Sequence, residues 1–326
     1  MPRYKPENFI FGQTNVDMIA AFDVGGTTIK YTVGTSEGEF KISPEKIRTE
    51  KNIAEQVGEK ALELSEVYDI EKVAISTAGT PDLENKSTSR IQLEDGTTVE
   101  RIQYGEKIDE RLEDVGIAVE NDVNTAALGE YYFGDDSGSE SLIYVTFSTG
   151  IGAGMVLSGN MVRGTSGNAG KIGHYPLAPR LDNLTDRTEG AWEEVSGGKG
   201  ISGYLNRFLS ERASEAELDD IQDSDAEEIY KMAQQGDELV EEFVTKHVGA
   251  LHSRGIATLA LTVDPEVIKL GGSIALNNPD YVLNPIKEGL DRYYPDSYAR
   301  PEISITELGG DTELYGCLAL PKYRGI

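Results

Sequence analysis

The sequence has a single cysteine, Cys317, and only three histidines among its 326 residues. One cysteine cannot form an intrachain disulfide, and it cannot supply a cysteine-based zinc site. The longest apolar stretches, such as LIYVTF and HSRGIATLALTV, are far shorter than the ~20 residues that a membrane helix needs. The first residues, MPRYKPENFIFGQ, contain no apolar signal core. These absences predict a soluble cytoplasmic protein that has no membrane partner.

Basic residues are also scarce, because 30 Lys and Arg face 57 Asp and Glu, and the net charge is −27. Self-repulsion of this size destabilises a compact chain unless salt screens it. We therefore favour a high-salt cytoplasm, as in halophilic organisms, over an ordinary acidic protein with a well-solvated surface. The same field repels phosphate backbones, which argues against nucleic-acid binding.

The length exceeds what one hydrophobic core usually organises, so two lobes of one enzyme are expected. Residues 18–34, MIAAFDVGGTTIKYTVG, predict a strand, a glycine turn and a second strand, and LIYVTFSTGIGAGMVLSGNMVRG predicts the same arrangement again. Between these units we predict a helix at NIAEQVGEKALELSEVY, a strand ending at Gly79, a surface hairpin or loop over 82–105, and a strand leading into a helix at IAVENDVNTAALGEYYFG. Beyond residue 190 the chain is mostly helical, with one strand at EVIKLGG and a closing helix at TELYGCLALPKY. Alternating strands and helices predict the α/β class, and the repeated unit hints at a duplicated fold.

Both glycine turns are candidate phosphate sites, because glycine lets backbone N–H groups approach phosphate oxygens. The first contains Asp23, Gly25, Gly26, Thr27 and Thr28, and the Asp23 carboxylate could hold a hydrated Mg²⁺. The second contains Thr149, Gly150, Gly152 and Gly154. An ordinary hairpin turn is the alternative for each. A strand follows the first set of glycines, which excludes a dinucleotide fingerprint and a Walker loop there.

Asn121 and Asp122 lie where a predicted strand passes into a helix. Both residue types are preferred helix N-caps, so capping is one interpretation. The other is catalytic, since a carboxylate within reach of a sugar hydroxyl can take its proton during phosphoryl transfer. Asn121 would then hydrogen-bond a second hydroxyl.

Four ordered segments resemble the ROK family of sugar kinases and repressors, which sits in the actin/hexokinase/chaperone superfamily. They are FDVGGTTIKYTVG, VENDVNTAALGEYYFG, STGIGAGMVLSGNMVRGTSGNAGKIGH and DPEVIKLGG. The resemblance implies a two-lobed actin-like ATPase (ribonuclease H-like) fold of the α/β class, with ATP and Mg²⁺ in the cleft between the lobes. It implies a small lobe over 18–120 joined by a C-terminal helix at 311–326, a large lobe over 121–310, and an N-terminal extension at 1–17.

The resemblance also implies roles for individual residues. Asp122 would be the catalytic base, and the sugar would contact Gly79, Asn121, Asp122, Lys171, His174 and Glu193. ATP would contact Asp23, Gly25, Gly26, Thr27, Thr28, Lys30, Thr149, Gly150, Gly152, Gly271, Gly272 and Ser273, with Mg²⁺ held by Asp23 through water. The implied activity is glucokinase-like, producing glucose 6-phosphate, with an N-acyl hexosamine, fructose or a sugar acid as alternative substrate.

Two departures from the family pattern concern the sugar side. The family's GxxGExGH segment reads GNAGKIGH here, so Lys171, which can only donate, stands where the family has glutamate. The family's zinc-binding cysteines are absent from TDRTEGAWEEVSGG, so no zinc is expected at His174. Lys171 either pairs with Glu193, which leaves a neutral hexose as substrate, or donates to a carboxylate or carbonyl of an acidic sugar. We favour the first interpretation.

Two rival functions belong to other classes. A repressor would need an N-terminal helix-turn-helix, and only about 17 residues precede the first predicted strand. A non-catalytic sugar sensor is disfavoured by the survival of Asp122 and of both glycine turns. The family resemblance further implies a homodimer or homotetramer.

Overall fold

The computed structural model of the chain describes residues 17–177, 190–210, 212 and 224–326. Its strands are β1 Met18–Val24, β2 Thr28–Thr35, β3 Glu45–Arg48, β4 Lys72–Thr77, β5 Pro81–Asp82, β6 Ser87–Gln92, β7 Thr98–Gln103, β8 Gly116–Asn121, β9 Ser141–Phe147, β10 Ile151–Leu157, β11 Asn160–Met161, β12 Val267–Gly271 and β13 Glu302–Ile305. The helices are α1 Ile53–Ser65, α2 Tyr104–Asp109, α3 Asp122–Phe133, α4 Trp192–Ser196, α5 Ile201–Ser210, α6 Ala226–Gln234, α7 Glu238–Glu242, α8 Gly249–Val263, α9 Gly272–Asn277, α10 Pro279–Tyr293 and α11 Thr312–Arg324. A π-helix at Phe243–Val248 joins α7 to α8, and short 3₁₀ helices lie at Ile172–His174 and Gly309–Asp311.

The first sheet has the strand order β3-β2-β1-β4-β8. β1 pairs with β2 antiparallel through the glycine turn, and β1, β4 and β8 run parallel. β1 is central and apolar on both faces, which is typical of a strand that helices or loops cover on both sides. The register places Asp23 opposite Lys30 on β2 and opposite Ser76 on β4.

The second sheet has the order β11-β10-β9-β12-β13 and repeats the first in strand directions as well. β9 pairs with β10 antiparallel through the second glycine turn, and β9, β12 and β13 run parallel. This shared topology supports the repeat that the two strand-turn-strand segments suggested. The ends of β1 and β9 therefore present equivalent turns.

Helices α3 and α11 cross with their backbones in contact. A Cβ on Gly129 would lie 2.4 Å from the carbonyl oxygen of Thr312, and a Cβ on Gly316 would lie 1.8 Å from that of Thr125. Glycine is required at both positions because real Cβ atoms do not approach backbone so closely. The C-terminal helix is thereby held against α3, while its buried Leu314 also belongs to a cluster with apolar side chains of the first sheet.

A third, small sheet contains the hairpin predicted within 82–105, with strand order β5-β6-β7. It packs on the first glycine turn, since the N–H of Glu94 donates to the carbonyl of Gly26 at 3.3 Å. Among the described residues, no helix is long and apolar enough to cross a membrane.

The helical region after residue 224 begins with a capping box at Asp225. Its carboxylate accepts the N–H of Glu228 at 3.0 Å, and the Glu228 carboxylate accepts the N–H of Asp225 at 3.1 Å. The core behind this region contains Trp192, whose indole N–H donates to Nδ1 of His252 at 3.1 Å. Both side chains are fully buried, and burial lowers the pKa of His252 to about 3, so this histidine is neutral and structural.

Candidate active site

The first glycine turn is shaped by contacts that only glycine permits. The N–H of Gly25 donates to the carbonyl of Thr28 at 3.0 Å and closes the turn. A Cβ on Gly26 would lie 2.0 Å from the carbonyl oxygen of Gln92, in the small sheet. The backbone of Gly26 is therefore pressed against the hairpin, and the side chains of Thr27 and Thr28 are exposed at the tip.

Charged side chains surround this first turn. Oδ1 of Asp23 accepts a hydrogen bond from the hydroxyl of Ser76 at 2.9 Å. The ammonium of Lys30 donates to the carbonyl of Gly310 and lies 3.3 Å from the carboxylate of Asp311. The Lys30 charge is thus already paired within the chain, whereas Asp23 accepts its hydrogen bond from a neutral hydroxyl.

The second glycine turn is neutral at the corresponding positions. Its tip is closed by the N–H of Ser148, which donates to the carbonyl of Gly150 at 3.0 Å. Beyond it, a Cβ on Gly154 would lie 2.1 Å from the carbonyl oxygen of Val123, so β10 lies directly against α3. Gly152 also faces this residue, since a Cβ there would lie 3.3 Å from Cγ2 of Val123. These contacts fix the second turn relative to the helix that begins at Asp122.

The turn after β12 joins the second turn. The hydroxyl of Ser273 lies 3.1 Å from that of Ser148. Gly271 ends β12, and Gly272 has a φ of +83°, where a Cβ would lie 2.5 Å from the carbonyl oxygen of Phe147. Positions 271–273 and 148–150, which the sequence places far apart, therefore form one surface.

Asn121 and Asp122 do not act as a side-chain cap of α3. Asn121 ends β8 with no capping hydrogen bond, and its Nδ2 instead donates to the carbonyl of Gly79 at 3.0 Å. Gly79 has a φ of +90°, a conformation that favours glycine. Oδ1 of Asp122 accepts the N–H of the next residue, Val123, at 2.9 Å. The side chain of Asn121 thus links two positions that the sequence predicted to contact the sugar, and Oδ2 of Asp122 is left for other partners.

Glu120, which precedes this pair, is a fully buried carboxylate with four partners. Its Oε1 accepts the N–H of Asn121 and the Nδ2 of Asn124, each at 3.0 Å. Its Oε2 accepts from Nε of Arg163 at 2.8 Å and from a guanidinium nitrogen of Arg324 at 2.7 Å. This network ties the strand-to-helix junction to the end of the C-terminal helix, and no sequence pattern indicated it.

The carboxylates of Asp23, Asp122 and Glu313 lie close enough to change one another's pKa. Burial raises the pKa of Asp23 to about 6, and the Asp122 carboxylate adds to the rise against the Ser76 hydrogen bond. Burial raises the pKa of Glu313 to about 8, and the charge of Asp23 adds to it. Burial likewise raises the pKa of Asp122, against the ammonium of Lys171. The Asp122 carboxylate therefore lies close enough to the first turn for its charge to act on Asp23.

Sequence reasoning missed Glu313. It lies in the first turn of α11, the closing helix, and the only signal for it was a carboxylate at the start of that helix, in DTELYG. Nothing local links this position to Asp23, which is 290 residues earlier in the chain.

The remaining sugar-side residues, Lys171, His174 and Glu193, lie near the second turn. Lys171 immediately precedes the short 3₁₀ helix, His174 is the last residue of that helix, and both are exposed. Oε2 of Glu193 accepts the N–H of Ile151, the first residue of β10, at 3.2 Å. No ion pair within 4.0 Å joins Lys171 to Glu193, although both residues belong to the described part of the chain. The pairing that we favoured from the sequence is therefore wrong, because the Glu193 carboxylate turns towards the β10 backbone and the Lys171 charge acts on Asp122.

Among the residues that the structure describes, no group of three or more His, Cys, Asp and Glu side chains is arranged to hold a metal ion. Cys317 is buried, and its Sγ lies 3.4 Å from the carbonyl oxygen of Phe22. The stretch that replaces the family's cysteine cluster, TDRTEGAWEEVSGG, spans residues 185–198, and its first part, 185–189, lies outside the described residues. The absence of zinc stays a prediction.

Residues 19–323 match the ROK family. The chain belongs to the ROK family. A glucokinase from Pyrobaculum calidifontis is 30% identical over 301 residues, which cover 91% of this chain and 93% of that protein.

Two solved structures extend the comparison. A ROK family glucokinase from Streptomyces griseus, solved in complex with glucose and AMPPNP, superposes with a TM-score of 0.72 at 25% identity over 93% of this chain and 98% of the other. A ROK family transcriptional regulator, a homolog of the E. coli MLC protein, superposes with a TM-score of 0.79 at 19% identity over 95% of this chain and 78% of the other. The predicted α/β fold of the actin-like ATPase type, with its two lobes, is confirmed.

Proposed function

We propose that this chain is an ATP-dependent sugar kinase that transfers the γ-phosphoryl group to a hexose hydroxyl, with glucose as the first candidate and Asp122 as the base. One observation carries the proposal: Asp122 follows the end of β8, which is in register with the ends of β4 and β1 at the first glycine turn, and the next residue, Val123, packs against Gly154 of β10, the strand after the second turn. Asn121 makes no side-chain cap of α3, and Asp122 uses one carboxylate oxygen on the N–H of Val123. The resemblance to glucokinases over more than nine-tenths of the chain supports it.

The residues present fit a nucleotide. Gly26, Gly272 and Gly154 pack so closely on neighbouring backbone that a side chain would not fit, and this packing holds the turns in a shape in which backbone N–H groups could meet phosphate oxygens. The first turn and the Thr149–Gly152 turn would hold the phosphates, and Gly271, Gly272 and Ser273 would face the adenosine.

The residues also fit a hydrated Mg²⁺ ion. Mg²⁺ usually keeps several waters and takes one or two carboxylates together with substrate phosphates, so a full cage of protein ligands is not required. Asp23 would hold the ion through water, and a bound ion would supply positive charge that neutralises the phosphate oxygens. Burial raises the pKa of Asp23, and the Asp122 and Asp311 carboxylates add to the rise, so a bound cation would favour the ionised form of Asp23.

The chain's own side chains would divide the remaining work. Asp122 would accept the proton of the attacking hydroxyl, and the Lys171 ammonium would keep that carboxylate ionised, since it acts against the rise of the Asp122 pKa. Asn121 uses Nδ2 on the Gly79 carbonyl, which leaves its side-chain oxygen to accept a sugar hydroxyl. His174 and Glu193 would contact further hydroxyls.

A sugar acid is the second candidate substrate, because the Lys171 ammonium has no carboxylate within 4.0 Å among the described residues. Replacing Lys171 with Glu tests this alternative. A kinase for a neutral hexose should keep its preference for glucose in this variant, whereas a shift from a sugar acid towards glucose would show that Lys171 reads a substrate carboxylate.

The direct test is a coupled ADP-release assay in molar KCl with hexoses, N-acyl hexosamines and sugar acids. We expect sugar-dependent ADP release, greatest with glucose. Sugar binding without any ADP release across the panel would contradict the kinase proposal and would favour a sensor, a function that the fold shared with a transcriptional regulator permits.

The net charge of −27 supports the further proposal that the protein works at high salt. Molar KCl should raise the melting temperature, because screening weakens repulsion among the acidic residues. A melting temperature that is equally high in dilute buffer would contradict it.

A further inference from the structure

The loop Gly197–Gly200, before α5, lies directly against the second glycine turn. The N–H of Gly198 donates to the carbonyl of Ser148 at 2.8 Å, and the N–H of Lys199 donates to the carbonyl of Thr149 at 3.2 Å. The backbone of Lys199 is therefore fixed at the edge of this turn by two hydrogen bonds from its own loop.

The side chain of Lys199 extends from there to the first glycine turn. Its ammonium lies 3.3 Å from Oε1 of Gln92, a residue of the small sheet. The carbonyl oxygen of the same Gln92 is the group that a Cβ on Gly26 would meet at 2.0 Å. The aliphatic part of Lys199 thus crosses the gap between the two turns.

Gln92 is a weak partner for this ammonium. The contact is long, exposed and made to a neutral amide, and no carboxylate within 4.0 Å pairs with Lys199 among the described residues. Lys30, the cation of the first turn, is in contrast already paired with Asp311 and the Gly310 carbonyl. Lys199 can therefore exchange its present partner at a smaller cost in free energy than Lys30 can.

The carboxylates beside the first turn would repel the phosphates of a nucleotide, and a nearby cation would reduce this repulsion. Burial is the main cause of the raised pKa values of Asp23 and Glu313, and the charges of neighbouring carboxylates, Asp122 for Asp23 and Asp23 for Glu313, add to them. A nucleotide would add several negative charges next to these carboxylates. An ammonium that reaches both turns would offset this repulsion through charge-assisted hydrogen bonds to phosphate oxygens.

We propose that Lys199 is a phosphate-binding residue of the nucleotide site, which exchanges the Gln92 amide for a phosphate oxygen when ATP binds. The proposal rests on the proposed function in one respect, that a nucleotide occupies the space between the turns. It adds a residue to the nucleotide site that sequence reasoning did not find.

Calorimetric titration of ATP, ADP and adenosine into wild-type protein and into Lys199→Ala tests the proposal without relying on turnover. We expect ATP and ADP to bind about 10- to 100-fold more weakly to the variant, the usual range for a lost hydrogen bond to a charged group. Adenosine, which has no phosphate, should bind equally to both proteins. Lys287→Ala, an exposed lysine on α10, is the matched control for the loss of one positive charge.

Gln92→Ala separates phosphate binding from a purely structural contact between Gln92 and Lys199. It should weaken ATP binding by less than about threefold, because the amide only holds the ammonium in the absence of nucleotide. A Gln92→Ala variant that loses as much ATP affinity as Lys199→Ala would overturn the proposal, and so would equal losses for ATP and adenosine. Unchanged ATP binding in Lys199→Ala would overturn the lysine's role alone, whereas wild-type protein that binds neither ATP nor adenosine would overturn the proposed function as well.

Discussion

The two glycine turns lie at the same place in the topology of their sheets but have different side chains. In the first sheet, Asp23 lies opposite Lys30 on the antiparallel strand and opposite Ser76 on the parallel one. In the second sheet, the residue one place before the strand end is Thr146, which lies opposite Gly152 and Gly271. A charged pair and a hydroxyl in one lobe thus correspond to a threonine and two glycines in the other.

This difference indicates that the two turns have different roles, although they lie at corresponding places in two sheets of the same topology. The first turn supplies charge that can meet a cation and phosphates. At the second turn the corresponding positions have no charged side chain, and the glycines allow close packing, of Gly271 on the Tyr144 hydroxyl and of Gly152 on Val123. The repeated topology explains why both turns have the required shape, and the side chains explain why they are not interchangeable.

The largest effect that distinguishes the two turns should come from alanine at their glycines. In Gly26→Ala the new Cβ meets the Gln92 carbonyl, which is rigid backbone, at 2.0 Å. In Gly150→Ala it meets the end of the Glu193 side chain at 2.9 Å, which can move away. We expect kcat/KM for ATP to fall at least about 100-fold in Gly26→Ala and at most about tenfold in Gly150→Ala.

Steady-state kinetics at varied ATP, with thermal melting to verify folding, check this prediction. Equal losses in the two variants would show that the turns do not differ in the way their contacts imply.

An intermediate effect is expected from Glu120, which stabilises the junction between β8 and α3 and has no hydrogen bond to either glycine turn, both of which the structure describes. Glu120→Gln replaces an anion that is shared by two arginines, so it should lower the free energy of unfolding by about 3 kcal/mol. It should also lower kcat about tenfold with little change in KM for ATP, because the junction that holds Asp122 loosens.

Glu110→Gln is the matched control, since Glu110 is an exposed carboxylate that also pairs with basic residues. Its effect on unfolding should be below about 1 kcal/mol. Denaturant unfolding and steady-state kinetics of both variants test this prediction. An unchanged kcat in Glu120→Gln would show that Glu120 does not position Asp122.

The smallest effect is expected on folding stability, from the carboxylate of Glu313 near the first turn. Burial and Asp23 raise the pKa of Glu313 to about 8, above its value in the unfolded chain, so the folded protein binds an extra proton between about pH 4 and 8. Folding stability from this group is therefore present at low pH and is lost as the pH rises through 8. Glu313→Gln should be more stable than wild type at pH 9, by about 1–2 kcal/mol, and should differ little at pH 5.

Urea unfolding at the two pH values measures this difference, and Glu307→Gln, at an exposed carboxylate nearby, is the control. Identical pH dependence in both variants would mean that folding does not raise the pKa of Glu313.

Much of the fold could be predicted because its signals are local. The apolar run that meets Gly25 and Gly26 indicates a strand and a turn within a few residues, and the same holds for the second turn and for the junction at Asp122. The hairpin between residues 82 and 105 was visible as a polar segment, although its contact with Gly26 was not.

The parts that could not be predicted depend on contacts between distant positions. Glu313 lies on α11, which packs on α3 at Gly316 and Gly129, and its pKa is influenced by Asp23 from the far end of the chain. The partner of Lys199 is 107 residues away. The predicted pair of Lys171 and Glu193 failed for the same reason. Opposite charges at two sequence positions do not say which of the surrounding backbone groups will compete for the carboxylate, and here the N–H of Ile151 does so.

The most direct test of the central claim is the amount of sugar phosphate that wild-type protein and Asp122→Asn form from ATP and the preferred sugar of the panel. The account predicts that kcat falls roughly 10²- to 10⁴-fold in the variant, while the affinity for ATP stays within about twofold, because the base is lost and the glycine turns are intact. Near-normal product formation by Asp122→Asn would contradict the assignment of Asp122 as the base and, with it, the arrangement proposed for the site.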